Sequence, residues 1–325
     1  MIELDAIARE HLRRLARTPR PTGSPEAAEA RRYCADVLRS QGFSTIEHPF
    51  EYSAAVGRFG TPVAGIAALL SIALGARLVG AIVILLAGAW LAKRGVLALP
   101  FLRREGINLE ARRDNAPALW LVAHIDSKSQ PVPLLVRSAG IVLLAIAWVG
   151  GWPYLAIVGA LPVIASVVGR ASAGAVDNAS GVATVLSAAS LLGQAPVGIL
   201  ITDAEELGLA GARAWCVKNA PSVAINCDGV DDEGQPTLMW TRPRARRLET
   251  AFKGVRSIPL VPGLLVDSVA FSSAKWEAVT LSRGTLGTLR RIHTRKDDLE
   301  HLRGDGIAAA ARVLADAALS LTERR

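Results

Sequence analysis

The sequence predicts an α/β fold: a mixed, mainly parallel central sheet flanked by helices, with two apolar helical hairpins inserted. Three observations predict it. Short, wholly apolar runs, Ala118–Ala123 (ALWLVA), Val197–Thr202 (VGILIT) and Val223–Cys227 (VAINC), read as strands buried on both faces. Segments of helical period lie between them. Two apolar blocks far longer than ordinary core helices, Pro62–Ala92 and Leu134–Val168, interrupt the pattern.

Taken in order, Met1–Arg20 reads as a charged amphipathic helix with no cleavable-signal pattern. Ser24-Pro25 opens a helix running to Ser40, with Ser as N-cap and Pro at the first helical position. Strands are expected at Phe43–Tyr52 and Ile107–Arg113, on either side of the first apolar block. The strand Ala118–Ala123 runs into His124, with Asp126 two residues on. Asn178–Leu192 is an expected helix with Asp177 at its N-terminus. Val197–Thr202 is followed by Asp203, Glu205 and Glu206, and Val223–Cys227 ends at Asp228. Gly208–Asn219 and Leu302–Leu321 complete the helices, and Asp231–Gln235 reads as an exposed loop. Residues 1–60, 94–129 and 171–325 then form one domain, with insertions at 61–93 and 130–170.

The residues at these strand ends carry the chemistry. Open α/β sheets place ligands outside the carboxyl ends of their strands, so His124, Asp126, Glu205, Glu206 and Asp228 converge on one edge, joined by Asp177 and by His293 (IHTRKDD). Imidazole and carboxylate are zinc ligands, and a catalytic ion keeps one position open. Two histidines and three carboxylates suit two ions sharing one carboxylate. Such a pair, about 3.5–4 Å apart, lowers the pKa of a shared water and polarises a carbonyl. Adjacent side chains in the Glu205–Glu206 pair point differently, so one binds metal while the other takes the proton. Asp126 is placed to accept the other ring N–H of His124. Singly, each residue has a plainer reading: Asp177 as a helix N-cap, the glutamates as first-turn charges. Asp297 and Asp298 either orient His293 or are solvated turn charges. His11, His48 and His301 read as surface or packing residues, His301 being the one close to His293.

The pieces AHIDS, AVDNASGVA, AEELGLAGA, INCDG and IHTRKDD resemble, in order, the motifs of the co-catalytic zinc exopeptidases that include bacterial leucyl aminopeptidase, glutamate carboxypeptidase and glutaminyl cyclase (peptidase family M28). The resemblance covers roughly residues 107–325 apart from one insertion. It implies that His124 and Asp228 bind one zinc, Glu206 and His293 the other, that Asp177 bridges them, and that Glu205 is the general base. Asp267–Gly284 resembles the family's pocket-shaping loop but lacks its His after the Asp and a clear Gly-Ile-Pro.

Composition adds a membrane. The hydrophobic fraction of 51% and mean hydropathy of +0.32 are concentrated in the two blocks. Apolar stretches of that length usually belong in a bilayer, the plainer reading being buried core helices or a hydrophobic dimer contact. Since His124 and Asp177 must meet, the second block has to return to its starting side, as a transmembrane hairpin with arms 134–149 and 152–168 about the Gly150-Gly151-Trp152-Pro153 turn. Each arm is about 24–26 Å long, short of a hydrocarbon core of about 30 Å. The first block should return likewise around Gly75-Ala76-Arg77, with Trp90, Trp148 and Trp152 at interfaces. Arg58, Lys93, Arg94, Arg103, Arg104, Lys128, Arg137 and Arg170 lie on the enzyme side and only Arg77 on the far side, so the catalytic domain faces the cytoplasm, as in a bacterial inner membrane. Three cysteines make no disulfide framework. The net charge of +8 suits anionic headgroups; no nucleic-acid motif accompanies it.

The expected function is a membrane-embedded dinuclear zinc aminopeptidase acting on peptides, hydrophobic or membrane-derived. A glutaminyl-cyclase-like acyltransferase and a catalytically silent scaffold are the alternatives. The sequence leaves substrate, terminus preference and oligomeric state open.

Overall fold

The computed structural model describes residues 2–113, 116–261 and 264–323. Eight strands form one sheet: β1 (Ser44–Ser53), β2 (Arg103–Arg112), β3 (Leu119–His124), β4 (Val197–Thr202), β5 (Val223–Val230), β6 (Pro236–Trp240), β7 (Arg256–Pro259) and β8 (Glu277–Arg283), in the order β1-β2-β4-β3-β5-β8-β6-β7. The inner four, β4, β3, β5 and β8, are mutually parallel. The β1–β2 pair and the β6–β8 pairing are antiparallel. This is the mixed, flanked sheet the apolar runs predict.

Alternation along the inner strands divides the core. Leu121, Ile199 and Ile225 point to one face, under Leu12 of helix Ile2–Leu15, Leu38 of helix Pro25–Ser40, Leu186 of helix Gly181–Ala189 and Leu314 of helix Ile307–Glu323. Trp120, Val122 and Leu200 point to the other, where Trp215 of helix Ala210–Lys218 and Phe271 of helix Asp267–Ser273 cover them. Met1, the expected start of the first helix, lies outside the described residues, as does the Lys93 side chain.

Several boundaries differ from expectation for local reasons. Asn178 does not begin a helix: Asp177 (φ −115°, ψ 87°) and Asn178 (φ −138°, ψ 39°) are non-helical, and the regular helix starts at Gly181. Asn178 Oδ1 accepts from the Gly181 and Gly229 N–H groups at 3.0 and 3.2 Å, so Asn178 caps the turn and Asp177 is released for another role. A Cβ on Gly181 would sit 2.1 Å from that oxygen, so the turn requires glycine there. The last helix starts at Ile307 because residues 302–306 form a turn, with Asp232 accepting from Arg303 and Asp305 N–H groups. Asp231, expected in an exposed loop, is buried and paired with Arg291. The segment from Asp267 is not a loop but a helix followed by the internal strand β8.

Both apolar blocks are helical hairpins. The first begins earlier than its apolar run, as Ala54–Ala73 and Arg77–Trp90, and the second is Leu134–Gly150 and Pro153–Ile164. Their ends are held together at the sheet. Ser53 pairs with Arg103 at the mouth of the first insertion, and Ser129 pairs with Gly169 at the mouth of the second. The hairpins pack on one another through Ala68, Ile72, Leu144, Ala147, Ala156 and Ala160. Within the second hairpin, Gly159 lies where a Cβ would be 2.6 Å from the Leu144 nitrogen, so its two arms nearly touch. At the far end Arg77 donates to the Trp148 and Val149 carbonyls at 3.0 and 3.1 Å, latching one turn to the other. The outer faces are apolar and exposed, including Leu74, Leu78, Leu86, Val149 and Leu161. Among the described residues one helix, Ala54–Ala73, is long and apolar enough to cross a membrane; the other three are shorter. The arm expected to reach residue 168 stops at Ile164, where Ser166 Oγ turns back to donate to the Pro162 carbonyl at 2.7 Å.

Candidate metal centre

The loops at the carboxyl ends of β3, β4 and β5 meet as the sheet geometry requires. His124 ends β3, Glu205 and Glu206 follow β4, and Asp228 lies within β5 at a register irregularity after Cys227. Asp177 comes from the turn before Gly181, and His293, at φ 62°, follows a short helix at 286–291. Asp177 stands at the centre. Its two oxygens lie 3.1 Å from His124 Nε2 and 2.8 Å from His293 Nε2. Asp228 Oδ1 is 3.6 Å from His124 Nε2, and Glu206 Oε1 is 3.5 Å from His293 Nε2. Two ligand groups result, His124–Asp177–Asp228 and Asp177–Glu206–His293, with Asp177 in both. These are the triplets that the family resemblance implies.

The residues fit a metal by their chemistry and by their isolation. His124 Nε2 and Glu206 Oε1 are buried with no hydrogen-bond partner, and burying such groups is costly unless something binds them. Burial pushes Glu205 well above the usual carboxylate range, against the pull of His124. Burial would also raise Asp177, but the imidazoles of His124 and His293 beside it overcome that and hold its carboxyl well down. Glu205 Oε2 lies 4.0 Å from His124 Nε2, beside the first group and in neither triplet. A buried carboxylate beside the first ligand group and outside both is placed to take a proton.

Asp126 acts differently from expectation. The His124 Nδ1–H is accepted by the Asp126 backbone carbonyl at 3.1 Å, with the carboxylate at 3.5 Å. The carboxylate accepts instead from the backbone N–H groups of Glu205 and Glu206, both at 3.1 Å, and from Thr22 at 3.2 Å. Asp126 thus aligns both glutamates. Asp297 resolves the other open question: it accepts from the Val176 and Asp177 N–H groups at 2.6 and 3.2 Å and orients the shared carboxylate, not His293. Asp298 pairs with His301 on the surface, while His11 contacts Tyr33 and His48 contacts Glu110, all away from the centre.

Two contributors escaped sequence reasoning. Lys128 Nζ contacts Glu206 Oε2; the residue stood out only as one of many basic residues near a hairpin. Arg20, 1% exposed, donates to the carbonyls of Ile125, Ala173 and Gly174, at 3.0, 2.7 and 3.2 Å, so it ties the loop of His124 to the loop of Asp177. No local signal marks this role, since the three carbonyls it ties together lie more than 100 residues away.

The sequence profile of Peptidase family M28 matches residues 107–318. The chain belongs to this family. No curated protein sequence matches it. Its fold is similar to that of the aminopeptidase from Aneurinibacillus sp. strain AM-1 (TM-score 0.62, 14% identity, 96% of this chain and 92% of that one). A zinc aminopeptidase from Bacillus subtilis is similar to the same degree (TM-score 0.63, 15% identity, 97% and 94% covered). So is a glutaminyl cyclase from Porphyromonas gingivalis (TM-score 0.59, 16% identity, 98% of each). At such identities the likeness is one of fold. Membership in the M28 family makes the chain a peptidase-family protein whose expected metal is zinc.

Proposed function

We propose that this M28 protein is a membrane-inserted exopeptidase that removes N-terminal residues from peptides at a centre of two zinc ions. The observation that carries the reading is the sharing of Asp177 between two complete ligand groups. His124 and Asp228 would hold one ion, Glu206 and His293 the other, and Asp177 both. Bound zinc would supply an acidified water and polarise the scissile carbonyl. Glu205 then accepts the proton of the attacking water and passes it to the leaving amine, while Asp126 fixes the backbone of Glu205 and Glu206. A single shared carboxylate with both flanking groups intact favours hydrolysis over cyclase chemistry or a silent scaffold.

The hairpins support membrane insertion, and the basic residues near their roots, against Arg77 alone at the far end, a cytoplasmic catalytic domain. Each returns to its starting point, their outer faces are apolar, and glycine-mediated close packing is the way helices associate in lipid. The bilayer is then a partner, and peptides that are hydrophobic or derived from membrane proteins reach a cleft beside its surface.

Metal analysis and hydrolysis on detergent-purified wild type and Glu205→Gln, with free, N-blocked and N-terminal-glutamine peptides, test the chemistry. Two zinc ions per chain, with cleavage of free peptides lost in the variant, are expected; pyroglutamate formation would select the cyclase reading, and no metal with no turnover the scaffold. Alkaline carbonate washing of membranes tests insertion: the protein stays in the pellet, and its release would reject the spanning hairpins.

A further inference from the structure

A cleft beside the metal centre is unused by this chemistry. It opens from Glu206 between the roots of the two hairpins, and its walls carry Arg58, Lys128 and Arg170. Arg58 comes from the first turns of helix Ala54–Ala73. Lys128 and Arg170 come from the two edges of the second insertion, where the antiparallel Ser129–Gly169 bridge sets them opposite one another. Like charges placed directly opposite destabilise an antiparallel pair, and Arg58 adds a third cation to the same space. Among the described residues neither Arg58 nor Arg170 has a carboxylate partner, and Lys128 contacts only Glu206. The nearby acids are engaged: Asp126 accepts from Thr22 and from two backbone N–H groups, and Glu206 belongs to a metal group. Three cations thus share the cleft with two carboxylates, Asp126 and Glu206, that already have partners of their own.

An exopeptidase recognises a chain end, and the two ends ask for opposite charges. An α-ammonium group needs acids; an α-carboxylate needs cations, and guanidinium groups match its two oxygens. We propose that Arg58, Lys128 and Arg170 bind the C-terminal carboxylate of the substrate, so that the enzyme acts on di- and tripeptides whose carbonyl lies at Asp177 while their carboxylate lies in the cleft. At about 3.5 Å per extended residue, one or two residues past the scissile bond bridge neighbouring sites of this kind. The inference rests on the peptidase reading and deepens it by naming the substrate class. The shared ligand chemistry is an oxyanion, which a lipid phosphate also offers.

The test uses the full-length protein in detergent carrying Glu205→Gln, which keeps bound peptide intact, and measures equilibrium binding of Leu-Gly and of Leu-Gly amide. The free acid should bind about ten- to a hundredfold more tightly, as expected of charge-assisted hydrogen bonds. Adding Arg58→Gln and Arg170→Gln should bring the acid-to-amide ratio towards one, with zinc content and melting temperature recorded to show that the fold persists. Equal binding of acid and amide, or a ratio unmoved by the two arginine changes, overturns the proposal. Hydrolysis by the chain with Glu205 in place separates the two readings. Cleavage with no preference for the free acid sinks the cleft and keeps the peptidase; acid-selective binding without cleavage does the reverse. Phosphatidylglycerol against phosphatidylcholine vesicles form the third arm. A vesicle preference that the arginine changes abolish, with peptide discrimination intact, assigns the cleft to headgroups and overturns the carboxylate assignment.

Discussion

The metal centre and the hairpin unit invert one another. At the centre, carboxylates and imidazoles are buried, several with no partner among the described residues, and the surrounding backbone is fixed by charged and amide side chains: Asp126, Asp297, Asn178 and Arg20. In the hairpins, alanines with Ile72 and Leu144 are buried, and most of the large apolar side chains face outward. The difference is the one that the proposed metal centre and the proposed membrane insertion would require. Buried unsatisfied ligands are costly until a cation arrives, and exposed leucines are costly until an apolar medium covers them. Each region is incomplete alone, in the opposite sense.

Changes at the centre should therefore affect chemistry and metal, and changes in the hairpins should affect stability. The largest effect is expected from Glu205→Gln, which should lower kcat about 10²- to 10⁴-fold with zinc retained; zinc loss in parallel would place Glu205 among the ligands. Next, Asp297→Ala frees the N–H groups behind Asp177 and should weaken zinc binding about 10- to 100-fold, read by competition with a chelating dye. An unchanged affinity would mean that the turn holds Asp177 without it. Third, Gly159→Leu forces apart the Leu134–Gly150 and Pro153–Ile164 arms and should cost about 1–3 kcal/mol in detergent melts while zinc content stays the same. Zinc loss there would erase the separation between the two regions.

The smallest effect concerns pH. Burial, then the nearness of Asp126, raises Asp203 to about 7. The folded chain binds this proton more tightly than the unfolded one does. The stability that Asp203 contributes is therefore full below about pH 4, falls as pH rises to about 7, and is flat beyond. Asp203→Asn should flatten that slope, read as a smaller difference between melts at pH 4 and pH 8. A slope unchanged in the variant would assign the pH dependence to other buried acids.

Much of this was legible because it is local. The inner strands are continuous apolar runs, so β3, β4 and β5 declare themselves, and His124, Glu205, Glu206 and Asp228 follow from where those runs stop. Ser24 and Pro25 mark a helix start by cap chemistry that needs no distant partner. The two insertions are marked by length and composition, and the meeting of His124 with Asp177 requires the second to return. Where the sequence reading missed, long-range contacts decided. Asn178 rather than Asp177 caps its turn because β5 presents the Cys227 carbonyl and the Gly229 N–H to it. Asp126 turns to two backbone N–H groups that arrive from another strand. Arg20 and Asp297 find their partners across more than 100 residues, and the cationic cleft exists only because both hairpin roots meet at one place. Periodicity and strand-end chemistry are properties of a few consecutive residues and were determined by the sequence. Which carboxylate stays free, which is shared and which is committed to a backbone amide depends on donors brought from elsewhere, so only the tertiary structure decided it.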